Sequence, residues 1–179
     1  RFVGRPSDII VNWGNVNTVH NSHYLNPLQA VKNAANKVTT FKQLQEASIP
    51  VPTVHYSKST LDADKTYFAR TNLFGHSGDG IEVGIPTELP EAQLYTEFIK
   101  KKHEYRAIVV DDEVVDLKKK LKKRDFEGDR SPYVWNVANG YIFARHDIEF
   151  PPTLPQLAID ATKALNLSYG AVDIIQDRN

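Results

Sequence analysis

Residues 65–81 read Lys-Thr-Tyr-Phe-Ala-Arg-Thr-Asn-Leu-Phe-Gly-His-Ser-Gly-Asp-Gly-Ile and place one cation beside closely spaced glycines. A strand-like run, Thr66 to Ala69, ends at Arg70 and opens into a loop carrying Gly75, His76, Ser77, Gly78 and Gly80. Glycines at this spacing let the backbone adopt positive φ and turn bare N–H groups toward an anion. Arg70 adds a fixed charge one strand-end away, so the chemistry this pattern suits is the grip of a polyphosphate. The pattern is not a P-loop, which ends in Gly-Lys-Ser/Thr, and no helix-like run succeeds it as a dinucleotide fingerprint requires. The next residues, Ile81-Glu82-Val83-Gly84-Ile85, alternate like a strand. The expected unit is strand, glycine loop, strand: a flap over phosphates, although the same glycines also suit an ordinary hairpin turn.

The chain that must position this loop has 179 residues, enough for one globular unit or two small packed lobes. Its apolar share of 41% and charged share of 25% are those of a water-soluble domain. Formal net charge is zero, which gives no case for a nucleic-acid or membrane partner. No apolar run approaches membrane-spanning length and the N-terminus is no signal peptide. The absence of cysteine excludes disulfides and thiolate metal sites and fits the cytoplasm. Methionine is absent too, so Arg1 is not expected to be the true start.

Along the chain, Asp8 to Gly14 reads as a buried strand running into a turn. Pro27 to Asn36 predicts a short helix, and Lys37 to Ala47 a better one with Val38, Phe41 and Leu44 at helical spacing. Ile49-Pro50-Val51-Pro52 stops it, because proline cannot continue the backbone ladder. Strands are expected near Thr53–Tyr56, Thr66–Thr71, Ile81–Ile85 and Leu94–Ile99. Two hairpins come next: Glu104–Val110 with Glu113–Leu121 around Asp111-Asp112, and Tyr133–Val137 with Tyr141–Arg145 around Asn139-Gly140. A helix over Pro155–Asn166 and a strand over Tyr169–Ile175 complete the reading. The expected architecture is α+β, two antiparallel lobes with their seam near residues 97–103.

Other groups could join the phosphate loop. At the seam, Leu94–Ile99 leads into Lys100–Arg106, which by default is plain alternation of an apolar strand into a charged one. As an inter-lobe segment it offers backbone groups that can read an adenine edge, and Glu104 can accept from ribose hydroxyls. Arg106 shares Glu104's strand face, since side chains two apart point the same way. In Asp116-Leu117-Lys118-Lys119-Lys120-Leu121-Lys122-Lys123-Arg124, Lys118, Lys120 and Lys122 share a face with Asp116. That face suits a triphosphate or single-stranded nucleic acid; its plain alternative is a solvated edge strand defended by lysines. Phe126 is the nearest aromatic and stands alone, so a base-stacking platform is missing. Asp173, in Gly170-Ala171-Val172-Asp173-Ile174-Ile175, reads as a carboxylate inside a buried strand, which demands a metal or a structural ion partner; the phosphate features favour the metal. The six histidines show no zinc spacing.

In order, these features resemble the ATP-grasp superfamily over about Asn36 to Ile175, and within it the glutamate-ligase-like branch with its short phage-type members. The resemblance is carried by Asn36-Lys37, Ile49-Pro50-Val51-Pro52, Arg70 with the glycine loop, Tyr95-Thr96-Glu97-Phe98-Ile99, Glu104-Tyr105-Arg106, Val114-Val115-Asp116 with its lysines, Trp135-Asn136 to Gly140, and Ala164 to Asp173. It implies two α+β lobes (37–97 and 98–179) with ATP between them, preceded by a remnant N-terminal lobe over 1–36. The implied activity is ATP-dependent carboxylate–amine or carboxylate–thiol ligation through an acyl-phosphate, on small-molecule or peptide substrates, in a cytoplasmic protein that could be a homodimer.

Residue by residue, the resemblance puts Lys37 and Arg70 on the α/β-phosphates, and Gly75, His76, Ser77, Gly78 and Gly80 in the closing loop. Glu97, Phe98, Ile99 and Glu104 fall on the nucleoside. Lys118 or Lys120 reaches the γ-phosphate, Arg106 and Asn136 face the acyl phosphate or substrate, and Asp173 holds Mg2+. Two departures stand out. Arg70 occupies a position where the family usually has lysine, and the family's second metal motif, Glu-x-Asn, would fall past Asn179. A non-catalytic nucleotide-binding module of the same fold is therefore the alternative, and a nucleic-acid binder using Lys118–Arg124 a weaker one.

Overall fold

The computed structural model describes residues 4–12, 14, 23–74 and 79–178. Strand β1 (Ile9–Val11) pairs in parallel with β2 (His23–Leu25). The sequence suggests a buried β1, but Ile9 and Val11 are exposed, because this two-stranded ribbon turns them to a face that nothing among the described residues covers. Helix α1 (Leu28–Ala35) buries Ala30 and Val31. Helix α2 (Lys37–Glu46) starts where Asn36 caps it, Oδ1 accepting from the backbone N–H groups of Val38 at 3.0 Å and Thr39 at 3.2 Å.

Two antiparallel four-stranded sheets make up the rest. The first contains β3 (Val54–His55), β4 (Tyr67–Arg70), β5 (Ile81–Gly84) and β6 (Tyr95–Glu97) in the order β3-β6-β4-β5. Its core is Tyr67, Ala69, Leu89 and Tyr95. The second contains β7 (Lys101–Val110), β8 (Glu113–Lys122), β9 (Tyr141–Ala144) and β10 (Tyr169–Asp177) in the order β10-β7-β8-β9. Only residues 98–100 separate the two sheets along the chain.

Helix α3 (Leu154–Ala164), with proline in its first turn, covers one face of the second sheet. Leu154 and Ala158 pack on Tyr105, Ala107, Val109 and Ile174. Alternation along β7 then sends Glu104 and Arg106 to the opposite face, which α3 does not cover. That division decides where the chemistry sits.

The β7–β8 turn is the one the sequence indicates: Asp111 (φ 45°) and Asp112 (φ 65°) both adopt the left-handed conformation that a tight two-residue hairpin needs. The second expected hairpin does not form. Residues 133–137 are not a strand, and β9 pairs with β8 instead. Asn136 is the reason, since its side-chain oxygen and its carbonyl both accept from Asn139 N–H, at 2.8 and 3.1 Å, and its carbonyl also takes Tyr141 N–H at 3.1 Å. The chain coils into a turn there, and Trp135 stacks on Tyr141 with ring centroids 5.0 Å apart.

A long-range tie joins the two ends. Buried Asn26 (φ 64°) accepts at Oδ1 from Ser168 N–H (2.8 Å) and Tyr169 N–H (3.1 Å), and donates from Nδ2 to Tyr169 C=O at 2.9 Å. It completes the start of β10 much as a neighbouring strand would.

Candidate functional site

Lys37 opens α2 and Arg70 ends β4, and the fold brings them together. Lys37 N–H donates to Leu73 C=O at 3.2 Å, fixing the helix start against the segment just past Arg70. Burial, and then the neighbouring Arg70 guanidinium, hold the Lys37 ammonium below the usual lysine range. Burial also pulls Arg70 down, and its Nε is buried with no hydrogen-bond partner. Among the described residues neither cation has a carboxylate partner. Two desolvated cations at the positive end of a helix are unfavourable in isolation and become favourable when an anion joins them.

Beside them, the glycine loop leaves β4 and returns through β5. Gly75, His76, Ser77 and Gly78 lie outside the described residues. The loop's mouth is described: Thr71 N–H donates to Gly80 C=O at 2.9 Å, and Asn72 Nδ2 to Asp79 Oδ2 at 2.7 Å. Gly80 has φ +68°, and a Cβ placed there would lie 2.5 Å from Asn72 Cβ. Glycine is required at that position by the hairpin itself.

The uncovered face of the second sheet carries most of the remaining candidates. Arg106 and Asp173 stand opposite each other in β7 and β10 and form a bidentate pair. Lys120 donates to Glu104 Oε1 and lies 3.9 Å from Asp173 Oδ1. Lys101 donates to Glu104 Oε2 at 2.9 Å. The result is a ladder of alternating sign: Lys101, Glu104, Lys120, Asp173, Arg106. A second group lies beyond it, with Asp116 between Lys118 (2.7 Å) and Arg145 (2.9 Å). Arg145, then Lys118, bring the Asp116 carboxyl down to about 2. Arg106, Lys120 and Lys118 all lie over the ring of Phe143, at 4.9, 5.6 and 5.9 Å from its centroid.

Two sequence-based expectations change here. β8 is an interior strand paired with both β7 and β9, so its lysines defend no edge. Strand β10 is the edge, and Asp173 is not buried: its side chain is 42% exposed, because its face is the one α3 leaves open. Glu104 is buried, and each of its oxygens accepts from a lysine.

At the seam, Phe98 forms an aromatic triangle with Phe68 (5.7 Å) and Tyr133 (5.4 Å). Phe98 N–H donates to Thr66 C=O at 2.9 Å. Glu97 is paired with Lys65 at 2.9 Å. Asn136, expected to face the acyl phosphate or substrate, is engaged in a turn where its Oδ1 accepts from Asn139 N–H. A cavity of about 340 Å³ lined by His103, Tyr105, Lys119, Phe150 and Gln176 lies on the α3 side, away from the charged face. No helix among the described residues is long and apolar enough to cross a membrane.

The RimK-like ATP-grasp domain model matches residues 79–179. The chain belongs to that family. The tetrahydromethanopterin:alpha-L-glutamate ligase of Methanocaldococcus jannaschii is 28% identical to it over 185 residues, covering 88% of this chain and 60% of the relative. The chain thus spans about three-fifths of the length of the curated relative it matches. Among solved structures, D-alanine–D-alanine ligase from Bacillus anthracis superposes with a TM-score of 0.64 at 16% identity, over 87% of this chain and 57% of that one. The ATP-grasp ligase PsnB, complexed with minimal precursor, Mg and ADP, gives 0.61 at 16% identity, over 88% and 50%. N5-carboxyaminoimidazole ribonucleotide synthetase from Thermotoga maritima gives 0.59 at 12% identity, over 87% and 42%. These likenesses establish the ATP-grasp fold.

Within this ATP-grasp chain, three side chains of the charged face escape sequence reasoning. Lys101 hides in a Lys-Lys-Lys run, yet it alone turns inward, 4.7 Å over Trp135 and bonded to Tyr133 C=O at 2.8 Å. Trp135 is legible only as part of a motif. Phe143 becomes meaningful once β9 is set against β8, with Lys120 opposite Phe143. A hairpin register, and not composition, is the missing signal.

Proposed function

We propose that this ATP-grasp chain binds ATP against Lys37, Arg70 and the charged face of the second sheet, and activates a carboxylate for ligation to an amine. The observation that carries this reading is the Lys37–Arg70 pair: two partly buried cations, one with an orphaned Nε, that no carboxylate of the described residues neutralises. In the reaction, a substrate carboxylate oxygen attacks the γ-phosphorus and ADP leaves with the bridging oxygen. The amine then attacks the acyl carbon, loses a proton, and inorganic phosphate departs. The protein's part is to position the reactants and offset developing charge. Lys37 and Arg70 hold the inner phosphates, Lys120 and Lys118 approach the outer one, and Arg106 faces the acyl phosphate. The carboxylate and amine are small molecules or peptides, as the names of the relatives suggest.

Magnesium is the implied metal. No group of three metal-ligating side chains occurs among the described residues. However, Mg2+ in phosphate sites is held through one or two carboxylates together with the phosphates themselves. Asp173, exposed and on the charged face, fits that demand if Arg106 gives up one of its oxygens. The ion would neutralise phosphate charge.

A second reading is favoured by the state of one residue: with Asp173 occupied by Arg106, the chain could bind nucleotide without turnover. Calorimetry with ATP and Mg2+, followed by ADP release over a panel of amino acids and short peptides, tests both. Mg-ATP binding that is lost in Lys37→Ala and Arg70→Ala supports the site, and ADP release dependent on both a carboxylate and an amine supports ligation. Binding with no ADP release across the panel leaves the non-catalytic module, and no binding at all refutes both. A nucleic-acid role is disfavoured, because the formal net charge of the chain is zero.

A further inference from the structure

Strand β9 sets an aromatic ring into the charged face of the second sheet. Phe143 stands opposite Lys120 in the β8–β9 register and is half-buried. Arg106, Lys120 and Lys118 lie over its ring at 4.9, 5.6 and 5.9 Å from the centroid. Each of the three also has a carboxylate: Asp173 for Arg106, Glu104 for Lys120 and Asp116 for Lys118. Those carboxylates stand at three different places, and the ring is the contact that all three cations share. Tyr141, two residues before Phe143, lies on the same face. It stacks on Trp135, whose ring in turn receives Lys101 at 4.7 Å. An aromatic floor therefore runs beneath four cations of the open face.

We propose that Phe143 is a positioning residue of the nucleotide site: the π face of its ring draws Arg106, Lys118 and Lys120 toward one point and leaves their charge intact for phosphate. The negative face of an aromatic ring attracts a cation within about 6 Å of the centroid. The ring has no net charge, so it cancels none of the cations' charge. A fourth carboxylate in its place would grip the cations more firmly and neutralise them. A leucine would pack against the stems and give the charged ends nothing to settle on. Long side chains that are already gathered lose less freedom when an anion arrives, which favours binding. The cations belong to β7 and β8 and the ring to β9, so the register of three strands meets at a single residue. The role in binding rests on the proposed nucleotide site; the gathering of the cations rests on the distances alone.

The test replaces Phe143 by mono-, di- and trifluorinated phenylalanine, which keep the ring's shape while its face grows steadily less negative. Phe143→Leu removes the ring. Calorimetry with ATP is expected to show a stepwise loss of affinity along the fluorine series, about threefold to tenfold in all. Phe143→Leu should bind ATP no better than the trifluorinated protein. Adenosine, which brings no phosphate, should bind every one of these proteins alike. Without nucleotide, NMR should find ring-current shifts on the Arg106 and Lys120 side-chain protons that vanish in Phe143→Leu. A flat fluorine series means that Phe143 only fills space, and overturns the proposal. So does a loss of adenosine affinity that parallels the loss for ATP, or the absence of the ring-current shifts. If Phe143→Leu does not fold, the fluorinated proteins decide the question through their ATP and adenosine affinities. Wild type that binds no ATP refutes the nucleotide reading and this role with it, whereas wild type that binds ATP, with a flat series, refutes only the role of Phe143.

Discussion

Arg106 and Asp173 face each other in direct register across β7 and β10, joined by two parallel hydrogen bonds, Nε to Oδ1 at 2.8 Å and Nη2 to Oδ2 at 2.7 Å. A planar guanidinium meets a planar carboxylate, the geometry that gives an arginine pair its specificity. This pair occupies the carboxylate proposed for the metal, so a bound metal would compete with Arg106 for that group.

Asp173→Asn therefore separates a structural pair from a metal ligand. Because the Asp173 side chain is 42% exposed, the pair is screened by solvent, and its loss is expected to cost only about 0–1 kcal/mol. Melting curves should shift by a few degrees at most without ligand. The variant should also lose the extra stabilisation that Mg2+ adds to ATP. Equal stabilisation of wild type and variant by Mg-ATP, over ATP with EDTA, removes Asp173 from the metal site.

Arg70→Ala should act in opposite directions on affinity and on its neighbour. Removal of a charge-assisted phosphate contact is expected to weaken ATP binding by about 1.5–3 kcal/mol. Without nucleotide, the Lys37 ammonium loses a repelling cation and should titrate at higher pH than in wild type, because Arg70 contributes to its depression. A lysine-resolved NMR titration checks the second effect independently of any ligand. An unshifted Lys37 means the two cations are not coupled.

Much of this arrangement is legible in the sequence because it is local. Asn36 before an amphipathic run and Ile49-Pro50 after it delimit α2, and Asp111-Asp112 marks its hairpin turn with residues that tolerate left-handed backbone. The open charged face results from simple alternation once β7 and β8 are paired. What stays illegible is who meets whom. Glu104 is expected on ribose and pairs with two lysines, and Asp173 is expected in a buried strand and lies on an exposed edge. Both depend on cross-strand register and on which face α3 covers, neither of which a short window contains. Asn139-Gly140 misleads for the opposite reason: a good local turn signal loses to the hydrogen bonds of Asn136.

Gly80→Ala should destabilise the mouth of the loop. The φ of +68° alone costs a side chain about 1–3 kcal/mol, and the approach of 2.5 Å to Asn72 Cβ forces a further shift. Denaturant unfolding should show a loss of at least that size, and ATP affinity should fall with it. A neutral Gly80→Ala substitution means that the Thr71–Gly80 contact is not the fixed base of the loop.

The acid response should report Asp116. Arg145, then Lys118, hold its carboxyl at about 2, below the unfolded value of about 3.9. A depressed folded value means the contribution is fully present above about pH 4 and is lost as pH falls through about 2. Carboxyl-carbon NMR should give a low midpoint for Asp116 in wild type and a higher one in Arg145→Ala. The stability difference between the two proteins should be seen above about pH 4 and disappear near pH 2. A midpoint unaffected by Arg145→Ala rules out this pair as the cause.

Asn26 reaches β10 across 143 residues of sequence, and that separation sets an order of events in folding. A contact between such distant positions has a large loop-closure entropy to overcome, whereas β7 and β8 are joined by a two-residue turn. The hairpin can form early and the Asn26 latch should close after the main barrier. Asn26→Ala is then expected to speed unfolding while leaving the folding rate nearly unchanged, which stopped-flow kinetics can measure. Asn26 holds the start of the strand that carries Asp173, so the lifetime of the charged face would depend in part on an asparagine outside it.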